Sequence, residues 1–516
     1  MQKNPIISTD FYSLCSNTFA SDKAKELSVY NYTNRYSPKK AWAEYDLAYD
    51  SRMTMYGLNF FIQEELSTKI TKEHLEEALN YVNRSHSFGG PLPFDANLWK
   101  RVINECDGYL PIKIKSIPEG STFFPTEPII QVMNTNLGFG ELAAHVEARL
   151  VGAVSKASAI ATMLNHWRAR LKEQIIKDLT LVYGKAEENK INDVLKWAIH
   201  NFGSRACDSY ETSVLTGLSH LLIFNGTDNT DAGLEAYRLG CEDSVASSIL
   251  ALAHRNCQSY GNDIDAVNAI ASVPNAKIVS CVADCYDFYK TTRDIVNIAK
   301  NNPNTTYVIR PDSGNGLDCI LHIINIAIEN GVCKYENGIP LPTNVRYIYG
   351  DSVNPKSQRY INDTLRDRHK IPSTLWGIFG VGGWIVNNST RDSLSSAYKL
   401  AAIGDGYEPV VKLSESKTKL SVPYLNSITR PNNMLEGTVF PSNLVEYEKD
   451  TCRLIYKNGD ILSKESFKDI RSRAVNDFEK YEEFSKLNPD FGTNRECLGK
   501  EIIDYQNEIY GKYKGV

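Results

Sequence analysis

Charged residues and glycines follow a series of short apolar segments between about residues 196 and 400. Because the carboxyl ends of parallel strands meet at one edge of a sheet or barrel, we expect these side chains to face one cavity. An aspartate after a strand can also simply cap the following helix, and this alternative stays open for each aspartate in the set. The residues are Arg205, Asp228, Asp284, Arg310, Asp312, Asp351, Gly382 and Gly383.

The types of these residues favour a phosphorylated substrate. Guanidinium groups bind phosphate oxygens through paired hydrogen bonds. The glycine-rich segment FGVGGW, residues 379–384, can expose backbone N–H groups to an anion. The aspartates can accept hydrogen bonds from sugar hydroxyls or contact Mg²⁺ carried by phosphates. These residues alone predict an enzyme that acts on a phosphorylated, sugar-containing substrate.

Three further residues are candidates, although each also has an ordinary structural explanation. His254 lies in the helix-like stretch SSILALAHRNCQSYG, where a lone histidine is more often structural than catalytic. Phe202 in HNFGSR and Tyr12 in TDFYS can stack on a flat ring, whereas core packing is the commoner role of such a phenylalanine. The sequence pattern leaves both interpretations open.

The segments that position these residues alternate between strand-like and helix-like patterns. In residues 316–331, Leu317, Ile320, Ile324 and Ile328 share one helical face. Near-continuous apolar strands between such helices indicate a parallel sheet covered on both faces, and six or more such units indicate an irregular (β/α) barrel. The predicted strands cover residues 197–205, 220–228, 277–284, 306–312, 345–351 and 375–383.

The regions on either side of the barrel have a different pattern. Mixed short strands and helices predict an α+β domain over residues 1–155, followed by the barrel domain over 156–400. Residues 401–474, with a hairpin turn at Asn458-Gly459, are expected to return to the α+β domain. Residues 475–516 are expected to form a polar tail. The predicted fold class is therefore α/β, with an irregular barrel domain and an α+β domain built from both terminal segments.

Composition and charge exclude several classes of protein. The 516 residues include 57 Lys and Arg against 62 Asp and Glu, so no positive surplus is left to neutralise a nucleic-acid backbone. No apolar run approaches the roughly 20 residues that span a bilayer. Eleven scattered cysteines without CxxC spacing favour reduced thiols. We therefore expect a cytoplasmic protein that has neither nucleic acid nor a membrane as its partner.

The chain also resembles the nicotinamide branch of the type II phosphoribosyltransferase family over about residues 9–473. The resemblance implies transfer of phosphoribosyl from 5-phosphoribosyl 1-pyrophosphate to nicotinamide, giving nicotinamide mononucleotide and pyrophosphate in NAD salvage. It further implies a homodimer with shared active sites, ATP as a coupled co-substrate, and Mg²⁺ held through pyrophosphate rather than by the protein alone. The segments that carry the resemblance are MYGLNFFIQEEL (55–66), CDGYLPIKIKSIPEG (106–120), HNFGSR (200–205), FNGTDNTDAG (224–233), VADCYDFY (282–289), VIRPDSGNGLD (308–318), RYIYGD (346–351), FGVGG (379–383), STRD (389–392) and LIYKNGDILSKESFKDIR (454–471).

The roles of the family's residues carry over to matching positions. Phe202 and Tyr12 match the pair that sandwiches the pyridine ring, with the tyrosine coming from the partner subunit. Asp228 matches the acceptor of the carboxamide N–H₂, which favours nicotinamide over nicotinate. His254 matches the histidine whose ATP-dependent phosphorylation favours productive substrate binding. The other matches are Ser280 and Arg310 near the ring and amide, Asp312, Gly350 and Asp351 beside the ribose, Gly382, Gly383 and Arg391 at the 5′-phosphate, and Arg205 at the pyrophosphate together with Arg35 and Lys399 across the dimer. In the implied mechanism Asp312 and a nearby carboxylate, for which Asp284 is the candidate, face the positive charge that develops on the ribose.

Several residues depart from the family pattern. Ser13 and Ser16 stand where the family usually has a lysine and a nearby histidine, and Ala253 replaces the glutamate that precedes the phosphorylated histidine. These changes fall at the partner-subunit phosphate contact and at the site of ATP coupling that the resemblance implies. The remaining departures are Asn201 for an aspartate, Trp384 for a third glycine and Ala397 for a serine.

Three alternative functions follow from these observations. A nicotinate phosphoribosyltransferase would share the fold and most of the site. A catalytically impaired homologue would bind nucleotide without turnover, and the departures around Tyr12 and His254 are its support. A glycosidase with paired carboxylates would explain the aspartates but neither the arginines nor the glycines.

Overall fold

The structure is a computed structural model that describes residues 3–84, 86–87, 90–414, 420–463 and 465–514. It divides into two compact units, which we name the barrel unit, residues 43–47 and 163–388, and the sheet unit, residues 1–42, 48–162 and 389–516. The unit boundaries follow Thr162 and Asn388, whereas the domain boundaries expected from the sequence follow residues 155 and 400.

A parallel six-stranded sheet forms the centre of the barrel unit. Parallel bridges from Asn201 to Thr227 and from Gly226 to Ser247 join its two ends, so the sheet closes into an irregular barrel. The predicted α/β class is therefore confirmed. In spatial order the strands are Ile199–Asn201, Gly377–Val381, Val345–Tyr349, Thr306–Arg310, Ile278–Val282 and Leu250–Ala251.

Helices follow the barrel strands along the chain. Thr306–Arg310 is a β-branched and aromatic strand with a buried centre, and the side chain of Asn315 then caps the helix Gly316–Glu329 by accepting the Asp318 N–H. The other helices of the barrel unit are the second half of Glu147–Tyr183, then Glu188–Leu195, Tyr210–Leu221, Thr230–Arg238, His254–Tyr260, Asp263–Ala271, Phe288–Asn301, Pro355–His369, Ser373–Trp376 and Gly383–Asn387, with 3₁₀ turns at Ala43–Tyr45 and Gly203–Ala206 and a hairpin of strands Cys333–Glu336 and Ile339–Pro342.

Two local predictions in the barrel unit are wrong. Residues 220–221 end the helix Tyr210–Leu221, and the strand predicted over 220–228 is reduced to the bridges at Gly226 and Thr227. This helix is buried from Ser213 to its end, and an apolar run of that kind cannot be distinguished from a buried strand by periodicity. The helix-like stretch around His254 is a strand followed by a helix, and the helix begins at His254 itself.

An antiparallel seven-stranded sheet forms the core of the sheet unit and takes strands from both terminal segments, which confirms the predicted α+β arrangement. The predicted hairpin turn is also confirmed, because Asn458 and Gly459 both have positive φ between the last two strands. In spatial order the strands are Glu408–Pro409, Ser396–Ile403, Ser28–Asn34, Ile130–Asn134, Ile112–Ser116, Arg453–Lys457 and Asp460–Ile461.

The segment expected to be a polar tail packs into the sheet unit instead. Tyr481, Phe491, Leu498 and Ile502 are buried in one cluster with Phe124. Smaller sheets pair Met53–Thr54 with Thr122–Phe123, His86–Ser87 with Gly90–Pro91, and Asn426–Ile428 with Val439–Pro441. The helices of the sheet unit are Ser16–Phe19, Asp22–Glu26, Pro38–Ala41, Leu58–Phe61, Lys72–Arg84, Ala96–Glu105, Leu142–His145, the first half of Glu147–Tyr183, Phe467–Lys480, Glu482–Leu487 and Lys500–Lys514, with a π-helical turn at Ile62–Leu66 and 3₁₀ turns at Phe11–Cys15, Met434–Glu436, Ser442–Leu444 and Tyr447–Lys449.

All eleven cysteines are free thiols. Within the described ranges, no helix combines the length and apolarity that crossing a bilayer would require.

A buried carboxylate in the sheet unit predicts a pH-dependent stability. Glu119 accepts the N–H groups of Leu58 and Asn59, yet burial raises its pKa to about 7. Its folded-state pKa therefore exceeds the unfolded value, so the folded chain binds more protons between about pH 4.5 and 7 and loses stability as the pH rises through that window. We expect the free energy of unfolding to fall by up to about 3 kcal/mol from this group alone.

Urea denaturation of the wild type and of Glu119→Gln at pH 5 and pH 8 measures this effect. The amide keeps an acceptor for the backbone N–H groups but cannot ionise, so the variant should lose less stability at pH 8 than the wild type does. Glu76→Gln, at an exposed position of the helix Lys72–Arg84, is the control and should keep the wild-type pH dependence. An unchanged pH dependence in Glu119→Gln would contradict the effect.

Candidate active site

A cavity of about 770 Å³ occupies the interior of the barrel unit. Its wall includes Phe202, Asp228, Ser280 and Arg310, the four barrel residues that the sequence analysis assigned to a pyridine ring and its amide. Ile278, Thr306 and Gly377, the first residues of their strands, also line it. The cavity therefore runs along the barrel from the carboxyl ends of the strands to their amino ends.

Phe202 forms an aromatic surface of the cavity wall directly after the strand Ile199–Asn201. Its N–H donates to the carbonyl of Val381 at 2.8 Å, which fixes the backbone. Its ring lies against Gly380 and Gly350, where an added β-carbon would stand 2.0 Å and 3.4 Å from the ring. Glycine at position 380 is thus required for the observed place of the ring.

Asp228 is held by two hydrogen bonds to the same carboxylate oxygen. His200 Nε2 and Ser248 Oγ donate to Oδ1 at 2.9 and 2.6 Å. Burial acts to raise the pKa of Asp228, but these hydrogen bonds, together with the charge of Arg310, bring the pKa below its usual value. In the part of the chain that the structure describes, Oδ2 has no hydrogen-bond partner. Asp228 is therefore an ionised acceptor in the wall of the cavity.

Arg310 ends the strand Thr306–Arg310, and most of its donors have no partner among the residues that the structure describes. One Nη2–H group donates to the carbonyl of Leu252 at 3.3 Å, whereas the buried Nε–H has no partner within the described ranges. Ser280 is buried in the neighbouring strand and pairs with Val308. The guanidinium is therefore available to an anionic or carbonyl group in the cavity.

Four predicted aspartates lie at the carboxyl ends of the barrel strands, which we call the rim. They do not cap the helices that follow them. In each case a residue further along the chain provides the cap and accepts an N–H of the first helical turn. The helix-cap alternative is therefore excluded for all of them. The aspartates are Asp228, Asp284, Asp312 and Asp351, and the corresponding caps are Asn229, Asp287, Asn315 and Asn354.

Three of the predicted catalytic side chains form one cluster. His254 Nε2 lies 3.3 Å from Asp284 Oδ1, and His254 Nδ1 lies 3.9 Å from Asp312 Oδ2. The other oxygen of Asp284 accepts the Asp312 N–H at 3.0 Å and the Ser313 hydroxyl at 2.6 Å. The buried Asp284 therefore joins the start of the His254 helix to the loop that carries the half-exposed Asp312.

The remaining predicted residues of the barrel unit also lie at carboxyl ends of strands. Arg205 is exposed in the 3₁₀ turn Gly203–Ala206, and Asp351 is exposed after Gly350 at the end of Val345–Tyr349. Gly382 and Gly383 follow the strand Gly377–Val381 and start the next helix. The rim thus presents an arginine, a carboxylate and a glycine pair in addition to the cluster.

Four predicted residues belong to the sheet unit and form two groups there. Arg35 and Arg391 bond to the neighbouring carbonyls of Ser395 and Ser396, and burial together with the charge of Arg391 lowers the pKa of Arg35. Tyr12 is exposed, and its hydroxyl donates to Asp10 at 3.2 Å; slight burial of that hydroxyl and the charges of Glu147 and Asp10 raise its pKa. Lys399 Nζ lies 3.5 Å from the same Glu147. In the sheet unit, the guanidiniums of Arg35 and Arg391 therefore lie near each other. Tyr12 and Lys399 both interact with the carboxylate of Glu147.

His200 and Ser248 both line the cavity, although neither was predicted from the sequence. Alternation along a strand provides a signal for His200, because residues 200 and 202 stand two apart and side chains two apart point to the same face. Ser248 lies in an irregular segment, so no strand alternation in the sequence could have indicated it. Among the described residues, no group of three or more His, Cys, Asp or Glu side chains could hold a metal ion.

Comparison with known proteins identifies relatives of this arrangement. Residues 197–418 match the model of the nicotinate phosphoribosyltransferase (NAPRTase) family. A nicotinamide phosphoribosyltransferase of Xanthomonas campestris pv. campestris (strain 8004) is 27% identical over 359 residues, which cover 67% of this chain and 73% of the relative. A nicotinamide phosphoribosyltransferase of Acinetobacter baylyi is 26% identical over 414 residues, which cover 73% of this chain and 78% of the relative.

Two solved structures share the fold. The crystal structure of nicotinate-nucleotide pyrophosphorylase from Pyrococcus furiosus has a TM-score of 0.57 at 15% identity, covering 95% of this chain and 98% of its own. The crystal structure of human nicotinic acid phosphoribosyltransferase has a TM-score of 0.56 at 13% identity, covering 98% of this chain and all of its own. At these identities the likeness concerns the fold alone.

Proposed function

From the premise that residues 197–418 carry a domain of the nicotinate phosphoribosyltransferase family, we propose that the chain is a nicotinamide phosphoribosyltransferase of NAD salvage. It would transfer the 5-phosphoribosyl group from 5-phosphoribosyl 1-pyrophosphate to nicotinamide. One observation carries the choice of nicotinamide: Asp228 lies in the wall of the cavity that Phe202 also lines, and its second carboxylate oxygen has no hydrogen-bond partner among the described residues. That oxygen can accept a carboxamide N–H₂, whereas it would repel the carboxylate of nicotinate.

The proposed reaction is a substitution at the anomeric carbon of the sugar. The ring nitrogen of nicotinamide supplies the electron pair for the new C–N bond, and pyrophosphate leaves with the electron pair of the C–O bond. The ring nitrogen carries no proton, so no general base is needed, and the pocket has mainly to orient the ring. Positive charge develops on the ribose, and the carboxylates of Asp312 and Asp284 would stabilise it.

The phosphate groups would bind to the guanidiniums and glycines of the rim. Arg205 would contact the pyrophosphate, while Gly382 and Gly383 would offer backbone N–H groups to the 5′-phosphate. Exposed Asp312 and Asp351 fit contact with a hydrated hard cation, and they would meet Mg²⁺ that arrives with the pyrophosphate. When bound, Mg²⁺ would neutralise charge on the leaving group.

We further infer a cytoplasmic homodimer in which the partner subunit completes each site. Tyr12 would supply the second aromatic face for the ring, Arg35 and Lys399 would contact the pyrophosphate, and Arg391 would contact the 5′-phosphate. The exposure of Tyr12, and the proximity of the like-charged Arg391 that helps to lower the pKa of Arg35, support these roles. Eleven free thiols support a reducing compartment.

ATP is proposed to act through His254. Transfer of the γ-phosphoryl group to a ring nitrogen would form phosphohistidine and release ADP, and the added charge beside Asp284 and Asp312 would change how the rim binds the sugar pyrophosphate and Mg²⁺. The half-exposed imidazole between the two carboxylates supports this role.

The test is to incubate the purified chain with phosphoribosyl pyrophosphate, Mg²⁺ and either nicotinamide or nicotinate, with and without ATP, and to measure mononucleotide and pyrophosphate. The proposal predicts faster turnover of nicotinamide. Preference for nicotinate would establish the nicotinate phosphoribosyltransferase alternative. Calorimetric binding of nicotinamide mononucleotide without product from either base would establish the impaired homologue.

Replacing Gly380 with alanine should weaken binding of the pyridine ring. The new β-carbon would stand 2.0 Å from Phe202 Cε2, so the ring must leave its place in the cavity wall. We expect the dissociation constant of nicotinamide to rise about 10-fold or more. Calorimetry measures it, with Gly233→Ala as the control, since a β-carbon there meets Ala246 at an ordinary 3.4 Å. Unchanged affinity in Gly380→Ala would remove Phe202 from the ring site.

A further inference from the structure

His200 is a buried imidazole of the cavity wall that the proposed chemistry does not use. It is the middle residue of the strand Ile199–Asn201, and its side chain is 10% exposed. Its Nε2 lies 2.9 Å from Asp228 Oδ1. Because a carboxylate oxygen can only accept, and Asp228 is ionised, Nε2 must carry the hydrogen of this bond.

The imidazole is packed so that this hydrogen bond keeps its direction. A β-carbon at Gly226 would stand 2.6 Å from Nδ1, so the ring lies directly against the Gly226 backbone. On another side it meets the Phe202 ring at a centroid distance of 5.0 Å. The carbonyl of Gly226 is itself bonded to the buried His220. His200 is therefore the rigid member of the pair, whereas the Asp228 side chain is 42% exposed.

The bond determines which oxygen of Asp228 a ligand can use. Oδ1 already accepts from His200 and from Ser248, so its two lone pairs are occupied. Ser248 is exposed and lies in an irregular segment, which leaves His200 as the buried anchor. Oδ2 then remains as the one oriented acceptor that the carboxylate offers to a ligand.

We propose that His200 is a positioning residue that makes the pocket select carboxamide over carboxylate pyridines, by holding the Asp228 carboxylate in one orientation. This role rests on the proposed function and deepens it. A carboxamide ligand gains a bond to the fixed Oδ2, whereas a carboxylate ligand meets a charge that cannot turn away. Without the Nε2–H donor, the half-exposed Asp228 can rotate towards solvent, and the discrimination weakens.

The test compares two substitutions that differ in one property. His200→Phe keeps a flat ring and removes the donor, whereas His200→Gln keeps an N–H donor on an uncharged side chain. For His200→Phe we expect the KM for nicotinamide to rise about 10-fold with little change in kcat, and the preference over nicotinate to fall by a similar factor. His200→Gln should retain most of the preference. His322→Phe, on the helix Gly316–Glu329, is the control and should behave as wild type.

Calorimetric titration of each base into the same proteins separates the two proposals. If the wild type binds nicotinamide more tightly than nicotinate but turns over neither, the proposed reaction fails while the role of His200 is still measured by the affinity ratio. A ratio that is unchanged in His200→Phe, or equally reduced in His200→Phe and His200→Gln with normal thermal unfolding, overturns that role. Failure of the wild type to discriminate between the bases overturns it as well.

Discussion

Asp312→Ala is expected to lower kcat for nicotinamide phosphoribosylation about 100-fold or more while leaving the fold intact. Asp312 follows the strand Thr306–Arg310, and its carboxylate is half-exposed and 3.9 Å from the His254 imidazole. The helix that follows is capped by Asn315, so removing the Asp312 carboxylate leaves that cap in place. The loss would instead remove a negative charge beside the ribose, where positive charge develops in the transition state.

The measurement is steady-state kinetics of Asp312→Ala, with thermal unfolding to confirm that the variant is folded. Asp318→Ala is the matched control, because Asp318 is an exposed carboxylate in the first turn of the same helix. Its kcat should stay close to that of the wild type. Near-normal turnover of Asp312→Ala would show that the loop needs only the Asp312 backbone N–H, which bonds to Asp284.

The strand ends of the barrel were predictable because apolar strands and polar ends recur along the chain. Four strands centred on residues 280, 308, 347 and 379 agree with prediction, and the residues after them lie at one rim. The sequence could not show whether an aspartate there caps a helix, because the residue that provides the cap lies only one to three positions further along the chain. Asn229 and Asn315, for example, take the caps that leave Asp228 and Asp312 for the site.

Other features depended on information that local sequence does not contain. The run before Gly226 is a buried helix and the segment after it contributes only bridges, since barrel closure rather than propensity determines its pairing. The bond from His200 to Asp228 joins residues 28 apart, and it depends on the bridge that places Thr227 beside the strand Ile199–Asn201. Some apolar residues of the terminal segment, such as Phe491 and Leu498, are buried because the sheet unit supplies Phe124 as a partner, whereas Leu487 stays exposed.

His254→Ala is expected to abolish the stimulation of turnover by ATP, so that rates with and without ATP become equal. His254 is the first residue of its helix, and its imidazole lies between Asp284 and Asp312, 3.3 and 3.9 Å from their oxygens. The contact with Asp284 orients the ring while the side chain stays 40% exposed, so an incoming phosphoryl group can reach it. Alanine removes the only nitrogen nucleophile that this proposal assigns to the cluster.

The experiment measures product formation with and without ATP, and detects acid-labile phosphate on the protein after incubation with γ-labelled ATP. His369→Ala, at the exposed end of the helix Pro355–His369, should retain both stimulation and labelling. Asp284→Asn should reduce both, because it weakens the contact that orients the imidazole and the bonds to the Asp312 loop. If His254→Ala keeps its ATP stimulation and its label, the phosphoryl group is carried elsewhere, and the cluster serves the sugar pyrophosphate alone.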